Sequence, residues 1–167
     1  MAELKGTLKI RSDMLPFLWI PDDSPEGGTY HRMQGFTGFS VSKNPAEYSR
    51  QYVDESQEQT DVTGFSPSIA YGFDRYIGNE VHDFLAEIID NELLGTAAVV
   101  NILVVDTTRP AGEDNAVLRP YAVIADTEGD QMDAYTYSGN FRVKGTKTWG
   151  TSVVSEDGLT ATFQRAA

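Results

Sequence analysis

One stretch of this chain, residues 80–94, carries helical periodicity, and strand-like runs crowd both sides of it. Val81, Phe84, Leu85, Ile88 and Ile89 recur at the i, i+3, i+4, i+7, i+8 spacing, which builds one apolar stripe fit to lie on a sheet. Asn79 stands where an N-cap belongs, Glu80 and Asp83 place negative charge in the first turn, and Gly95 supplies a left-handed stop. His82 falls off the stripe. One helix among so many strands does not give the βαβ rhythm of a parallel sheet. The order predicts a mainly β fold, an antiparallel β-sandwich or partly closed barrel with one flanking α-helix.

The strand readings rest on periodicity. Tyr135, Tyr137, Gly139, Phe141 and Val143 alternate with Thr136, Ser138, Asn140, Arg142 and Lys144, so one face is apolar and the other wet. Pro67, Ile69, Tyr71 and Phe73 alternate in the same way with Ser68, Ala70, Gly72 and Asp74. Residues 97–105, AAVVNILVV, are apolar on both faces and predict a central strand covered on both sides. Further strands are expected at residues 35–42, 121–125, 149–154 and 159–163, the last two joined by a turn at Asp157-Gly158. Residues 107–115 carry Pro, Gly and acids, which is loop chemistry. The sum is about seven or eight strands. Residues 14–29, MLPFLWIPDDSPEGGT, hold three prolines and a Gly-Gly pair and are expected to form no regular element, only an N-terminal arm over about residues 13–30.

Length and charge narrow the function. At 167 residues the chain suits a single domain with a real core, and the absence of cysteine removes disulfides, thiolate metal sites and cysteine nucleophiles. The balance of 25 acids against 13 bases, a net −12, opposes adhesion to nucleic-acid phosphates. No segment has the apolar run of a signal peptide or a membrane span, so synthesis in the cytoplasm and no membrane partner are expected. Neither H-E-x-x-H, G-x-S-x-G nor a P-loop occurs, and the two histidines offer little to a triad or a metal centre. The acids Asp126, Glu128, Asp130 and Asp133 around Gly129 could approach a hard cation, but a solvated acidic turn is the simpler reading. The expectation is no catalytic site, no metal and no cofactor.

Charge patterning is more telling. Glu47, Asp54, Glu55, Glu58 and Asp61 lie in a polar segment whose only base is Arg50, whereas Arg142, Lys144 and Lys147 gather near the end of the chain. Complementary patches on one small subunit suit head-to-tail association, with Tyr48 and Tyr52 as amphipathic anchors. The large apolar Phe17 and Trp19 of the Pro-punctuated arm need burial on the arm's own domain or on a neighbouring subunit. With them, the candidate inter-subunit contacts are Phe17, Trp19, Glu47, Tyr48, Arg50, Tyr52, Asp54, Glu55, Arg142 and Lys144.

The order of several motifs adds a resemblance. From Gly35 the sequence runs GFTGFSVSKNPAEYSRQYVDESQEQTDVTGFSPSIAYGFDRYIGNEVHDFLAEI. A strand closed by Asn-Pro, a polar arm reaching Tyr-Val-Asp-Glu, a Val-Thr-Gly-Phe-Ser-Pro-Ser strand and a Gly-Asn-Glu-Val helix start resemble the tail tube protein, or major tail protein, of long-tailed, non-contractile bacteriophages. The similarity covers about two thirds of the chain. It implies a virion subunit assembled in the host cytoplasm into stacked hexameric rings whose inner strands join in a continuous barrel. It also implies that double-stranded DNA is ejected through the lumen, with a tape-measure protein and tail tip and terminator proteins as partners. The residues matching the family's inter-ring loop are 43–59. The inner tube protein of a contractile tail or tail-derived bacteriocin is the nearest alternative, and a carbohydrate-binding β-sandwich module of a host-recognition fibre is one from another class.

Overall fold

The computed structural model describes residues 4–110, 112–129 and 131–167. In chain order its elements are β1 (Met14–Pro21), β2 (Gly28–Arg32), β3 (Phe36–Ser42), β4 (Pro45–Arg50), β5 (Gln59–Phe65), β6 (Ser68–Asp74), α1 (Glu80–Asp90), β7 (Val99–Asp106), β8 (Ala116–Glu128), β9 (Thr136–Val143), β10 (Thr148–Val154) and β11 (Thr160–Arg165). Nine strands form one antiparallel sheet in the order β10-β11-β2-β1-β7-β8-β9-β6-β3, and an added β10–β8 pairing closes the first six into a barrel. Strands β4 and β5 pair only with each other. The mainly β architecture with one flanking helix is thus the one that the sequence predicts.

Strand β8 joins the two parts. Its Ala116, Val117 and Leu118 pair with β10, while residues 121–128 pair with β9, so one strand serves the barrel at one end and a four-stranded sheet, β8-β9-β6-β3, at the other. The strand expected at 121–125 is accordingly the middle of a much longer one. Bridging two layers leaves residues 117–120 half-buried in a row and 124–128 exposed in a row, so neither flank shows the simple alternation that would have marked it.

Two apolar clusters result. Phe17, Leu103, Val105, Ala116 and Ala161 pack together with partly buried Leu15, Tyr30 and Phe163 of the barrel strands. Leu18, Val100 and Ile102 point the other way and meet Val81, Leu85, Ile88 and Ile89 of α1 and Ile69, Tyr71, Phe73 and Phe141 of the sheet. Strand β7 is buried on both faces, which is why residues 97–105 read as continuously apolar.

The same fact corrects the reading of residues 14–29. They are not an irregular arm but β1, a turn and the start of β2, with β1 paired to both β2 and β7. Pro16 is tolerated for a definable reason. Its carbonyl accepts from the Met33 N–H at 3.0 Å, so its missing N–H faces the same side, past the end of the β1–β2 ladder. The ladder with β7 loses nothing.

Helix α1 begins as expected, the Asn79 side chain accepting from the backbone N–H groups of Val81 and His82 at 3.1 and 3.2 Å. It ends earlier than expected. Glu92, at φ 50°, takes the left-handed position; its N–H reaches the Ile89 carbonyl and the Leu93 N–H reaches the Ile88 carbonyl, the paired bonds of a Schellman stop. Gly95 lies beyond it, in a short 3-10 turn.

His82, off the apolar stripe, is nevertheless wholly buried. Its ring stacks on Phe73 at 4.8 Å, Nδ1 accepts from the Tyr76 N–H at 3.0 Å and Nε2 donates to the Gln34 carbonyl at 2.6 Å. Gly35, at φ 71°, leaves room for the ring: a Cβ there would stand 3.0 Å from Cε1. Burial pushes the imidazole below its ordinary pKa, and protonated Nδ1 would confront the Tyr76 N–H. Because the folded state binds this proton less readily than the unfolded chain, stability is full above the unfolded value of about 6.5 and falls as pH drops below it, by up to about 1.4 kcal/mol per pH unit. Thermal unfolding between pH 7.5 and 5 checks this: the acid loss should shrink in a His82→Gln variant, and identical pH profiles would refute the assignment.

Candidate assembly surfaces

The four-stranded sheet has two unlike faces. One carries Ile69, Tyr71, Phe73, Tyr137 and Phe141 against α1. On the other, three rows cross the strands: Ala122, Arg142, Ser68 and Ser42; Ile124, Asn140, Ala70 and Ser40; Thr127, Ser138, Gly72 and Gly38. Apart from Ile124, Asn140 and Arg142 these are glycines or short hydroxyl and methyl side chains, and Arg142 is the one charge. Strand β8 bulges between Ala125 and Thr127, and a Cβ on Gly139 opposite would stand 2.2 Å from the Ile124 carbonyl oxygen. Glycine is what lets β9 pair across the bulge.

Among the described residues this sheet has two open edges. Strand β3 pairs with β6 alone. At the other side, β8 runs on past β7, whose ladder stops at Val99 opposite Ala122, so residues 123–128 lack a neighbour there. Unpaired edges template pairing with another chain. Since the four strands alternate in direction, the β3 edge runs antiparallel to the β8 edge.

The hairpin of β4 and β5 corrects the expected loop at 43–59. Its two six- and seven-residue strands are exposed at every position except half-buried Gly64. It is tied to the body at its base, where Ser66 N–H donates to the Asn44 carbonyl and Asn44 Nδ2 donates to the Ser66 carbonyl and Ser68 Oγ. Val53 is 108% exposed, Phe65 60%, Tyr52 46% and Tyr48 44%. The Arg50 guanidinium lies over the Tyr48 and Tyr52 rings, 5.0 and 5.8 Å from their centroids. A two-stranded ribbon with no face covered is marginal in water, so it calls for a partner surface.

Of the sequence-derived candidates, Glu47, Tyr48 and Arg50 lie on β4, and Tyr52, Asp54 and Glu55 at the exposed tip. Arg142 lies in the polar rows and Lys144 just past β9, its N–H bonded to the Pro120 carbonyl at 3.0 Å. Phe17 has no exposed surface and cannot touch a neighbour. Trp19 is half-buried, with its ring where a Cβ on Gly28 would be.

The fold gathers a different basic cluster from the expected Arg142, Lys144 and Lys147. Lys147 joins Lys43 and Arg119 around a depression floored by Phe65 and Pro67, of about 340 Å³, which adjoins a second of about 300 Å³ lined by Val41, Val117 and Trp149. Burial lowers the Lys147 pKa, and the positive Lys43 and Arg119 lower it further. Among the described residues no carboxylate pairs with these three. At the far end Asp106 is satisfied, its pKa held to about 2 by a hydrogen bond from Lys9 and another from Thr108. Lys43 and Phe65 flank the hairpin base, but only the β7–β8 and β8–β10 pairings bring Arg119 and Trp149 beside them, so no local sequence signal marks the cluster.

Among the described residues no group of three metal-ligating side chains stands together, and no helix is long and apolar enough to cross a membrane. Of the acidic turn, Glu128 accepts from the Tyr135 hydroxyl at 3.0 Å, and Asp130 lies outside the described residues.

No family model matches this sequence, and no curated protein does. Solved structures do match. A chain from the tail of an empty gene transfer agent particle, refined with C6 helical symmetry, superimposes with a TM-score of 0.59 over 85% of this chain and 98% of that one, at 14% identity. A chain from the virion of the native gene transfer agent particle gives 0.57 over the same shares at 13% identity. The chain therefore has the fold of a subunit found in the tail of a gene transfer agent particle, and at the level of fold the resemblance to tail tube proteins holds.

Proposed function

We propose that this chain is a structural virion subunit, a tail tube protein acting as a single domain whose copies close into rings that stack into a tube. The observation that carries the reading is the four-stranded sheet with an apolar face on α1, a small polar opposite face and two open edges. Edge-to-edge joining of β3 to the next copy's β8 removes both unpaired edges at once, as closure of a barrel does. Six copies per ring is the number suggested by the C6 symmetry of the similar tail. The polar rows then line the lumen. Short hydroxyl and methyl groups with Arg142 as the single charge there, on a chain of net −12, let double-stranded DNA slide past without adhering.

The exposed hairpin carrying Glu47, Tyr48, Arg50, Tyr52, Asp54 and Glu55 provides contacts between rings, and half-buried Trp19 is a further candidate contact. Catalysis has no part in this role. A tape-measure protein and tail tip and terminator proteins would complete the tail in the host cytoplasm. Negative-stain microscopy of the concentrated purified protein tests the reading: rings and tubes with a central channel are expected, whereas a lasting monomer would overturn it.

A further inference from the structure

We propose that the groove bounded by Lys43, Arg119 and Lys147 and floored by Phe65, Pro67 and Trp149 is the socket for the acidic hairpin tip, residues 51–58, of a second copy. The inference rests on the tail tube reading and deepens it by naming both halves of the contact.

The charges are complementary. The tip carries Asp54, Glu55 and Glu58, and its nearest base, Arg50, is already held over two tyrosine rings. The groove carries three cations that no carboxylate of the same chain pairs with among the described residues. The apolar parts match as well: Val53, wholly exposed at the tip, is a knob without a hole, and the floor offers Phe65, 60% exposed, and Trp149, still 41% exposed with the Arg109 guanidinium 5.1 Å from its ring centroid. Docking would desolvate an ion cluster that already carries excess positive charge and supply the missing negative charge.

Geometry forbids the chain from filling its own socket. Lys43 and Phe65 sit at the hairpin base, and a six-residue strand at about 3.4 Å per residue places the tip roughly 20 Å from it. Tip and socket on opposite ends of one hairpin make a heterologous contact, so each copy added along the stack offers a fresh socket. The result is linear growth.

Two variants reverse the charges: Lys43→Glu with Lys147→Glu in the socket, and Asp54→Lys with Glu55→Lys in the tip. All four side chains are exposed, so folding is not at stake. Each variant alone should raise the protein concentration needed for tubes by roughly tenfold or more, and the chain carrying both reversals should recover most of that loss. Because the protein has no cysteine, Val53→Cys with Thr146→Cys gives a clean second readout. A short bis-maleimide should link assembled chains into a ladder of covalent multimers.

Tubes from the unaltered chain, combined with harmless single reversals and no ladder, would overturn the socket and leave the tail tube reading standing. Failure of the unaltered chain to assemble at all would overturn both.

Discussion

Excising residues 45–65 and joining Asn44 to Ser66 through two glycines is expected to leave a subunit that melts within a few degrees of the full chain and forms no tubes. The excised strands bury none of their residues and pair only with each other, so the two clusters that hold the fold lose nothing. The ends are already adjacent, since the Ser66 N–H donates to the Asn44 carbonyl at 3.2 Å, and a two-residue link closes such a gap as a hairpin turn does. What disappears is the exposed ribbon and its tyrosines, Val53 and acids. Circular dichroism and microscopy read the two halves separately. An unfolded deletant would place the hairpin in the core, and a deletant that still grows tubes would remove it from the contacts between rings.

The second large effect lies in the core. Phe73 is fully buried beneath α1, with ring centroids 4.8 Å from His82, 5.0 Å from Phe36 and 5.2 Å from Tyr137. Truncation at such a site costs about 3–5 kcal/mol, the lost burial plus a cavity that stacked rings cannot collapse into. That is a large share of the roughly 5–15 kcal/mol that holds a domain folded, and it should lower the melting temperature by roughly 10 °C or more. Phe73→Ala is therefore expected to lose tubes through instability, whereas hairpin excision loses them with the fold intact. A cost under about 1 kcal/mol by chemical denaturation would contradict the described sheet–helix core.

How far the sequence spoke for this fold depended on what each element faces. Strands β6 and β9 have one dry face and one wet face, so their alternation was plain and located them nearly to the residue. Strand β1 is buried on both faces and bears Pro16 and Pro21. Its apolar run therefore read as an arm, because the signal that would have rescued it is a pairing with β7 about ninety residues away. Strand β4 is exposed at every position, so it had no buried face to imprint a period and passed for loop.

The same logic divides the candidate surfaces. The acids and tyrosines of the hairpin are contiguous in sequence and were legible as a polar arm between two strands. The groove draws Lys43, Arg119 and Lys147 from three separate segments, so charge runs pointed instead to Arg142 and Lys144, which the sheet sends elsewhere. Phe17 turns inward to its barrel partners and the His82 ring is held by the Gln34 and Tyr76 backbone groups, contacts that no local sequence pattern marks.

A subunit whose hairpin finds its covering surface only in another copy has a direct signature in amide hydrogen exchange. In dilute monomer, residues 45–65 should exchange far faster than the amides of β7 and β9, because their ladder lies open to water and opens at little cost. In assembled particles the same amides should become protected along with those at the β3 edge and in residues 123–128 of β8. Equal protection of these segments in monomer and particle would mean that the subunit is complete by itself, and the account would fail.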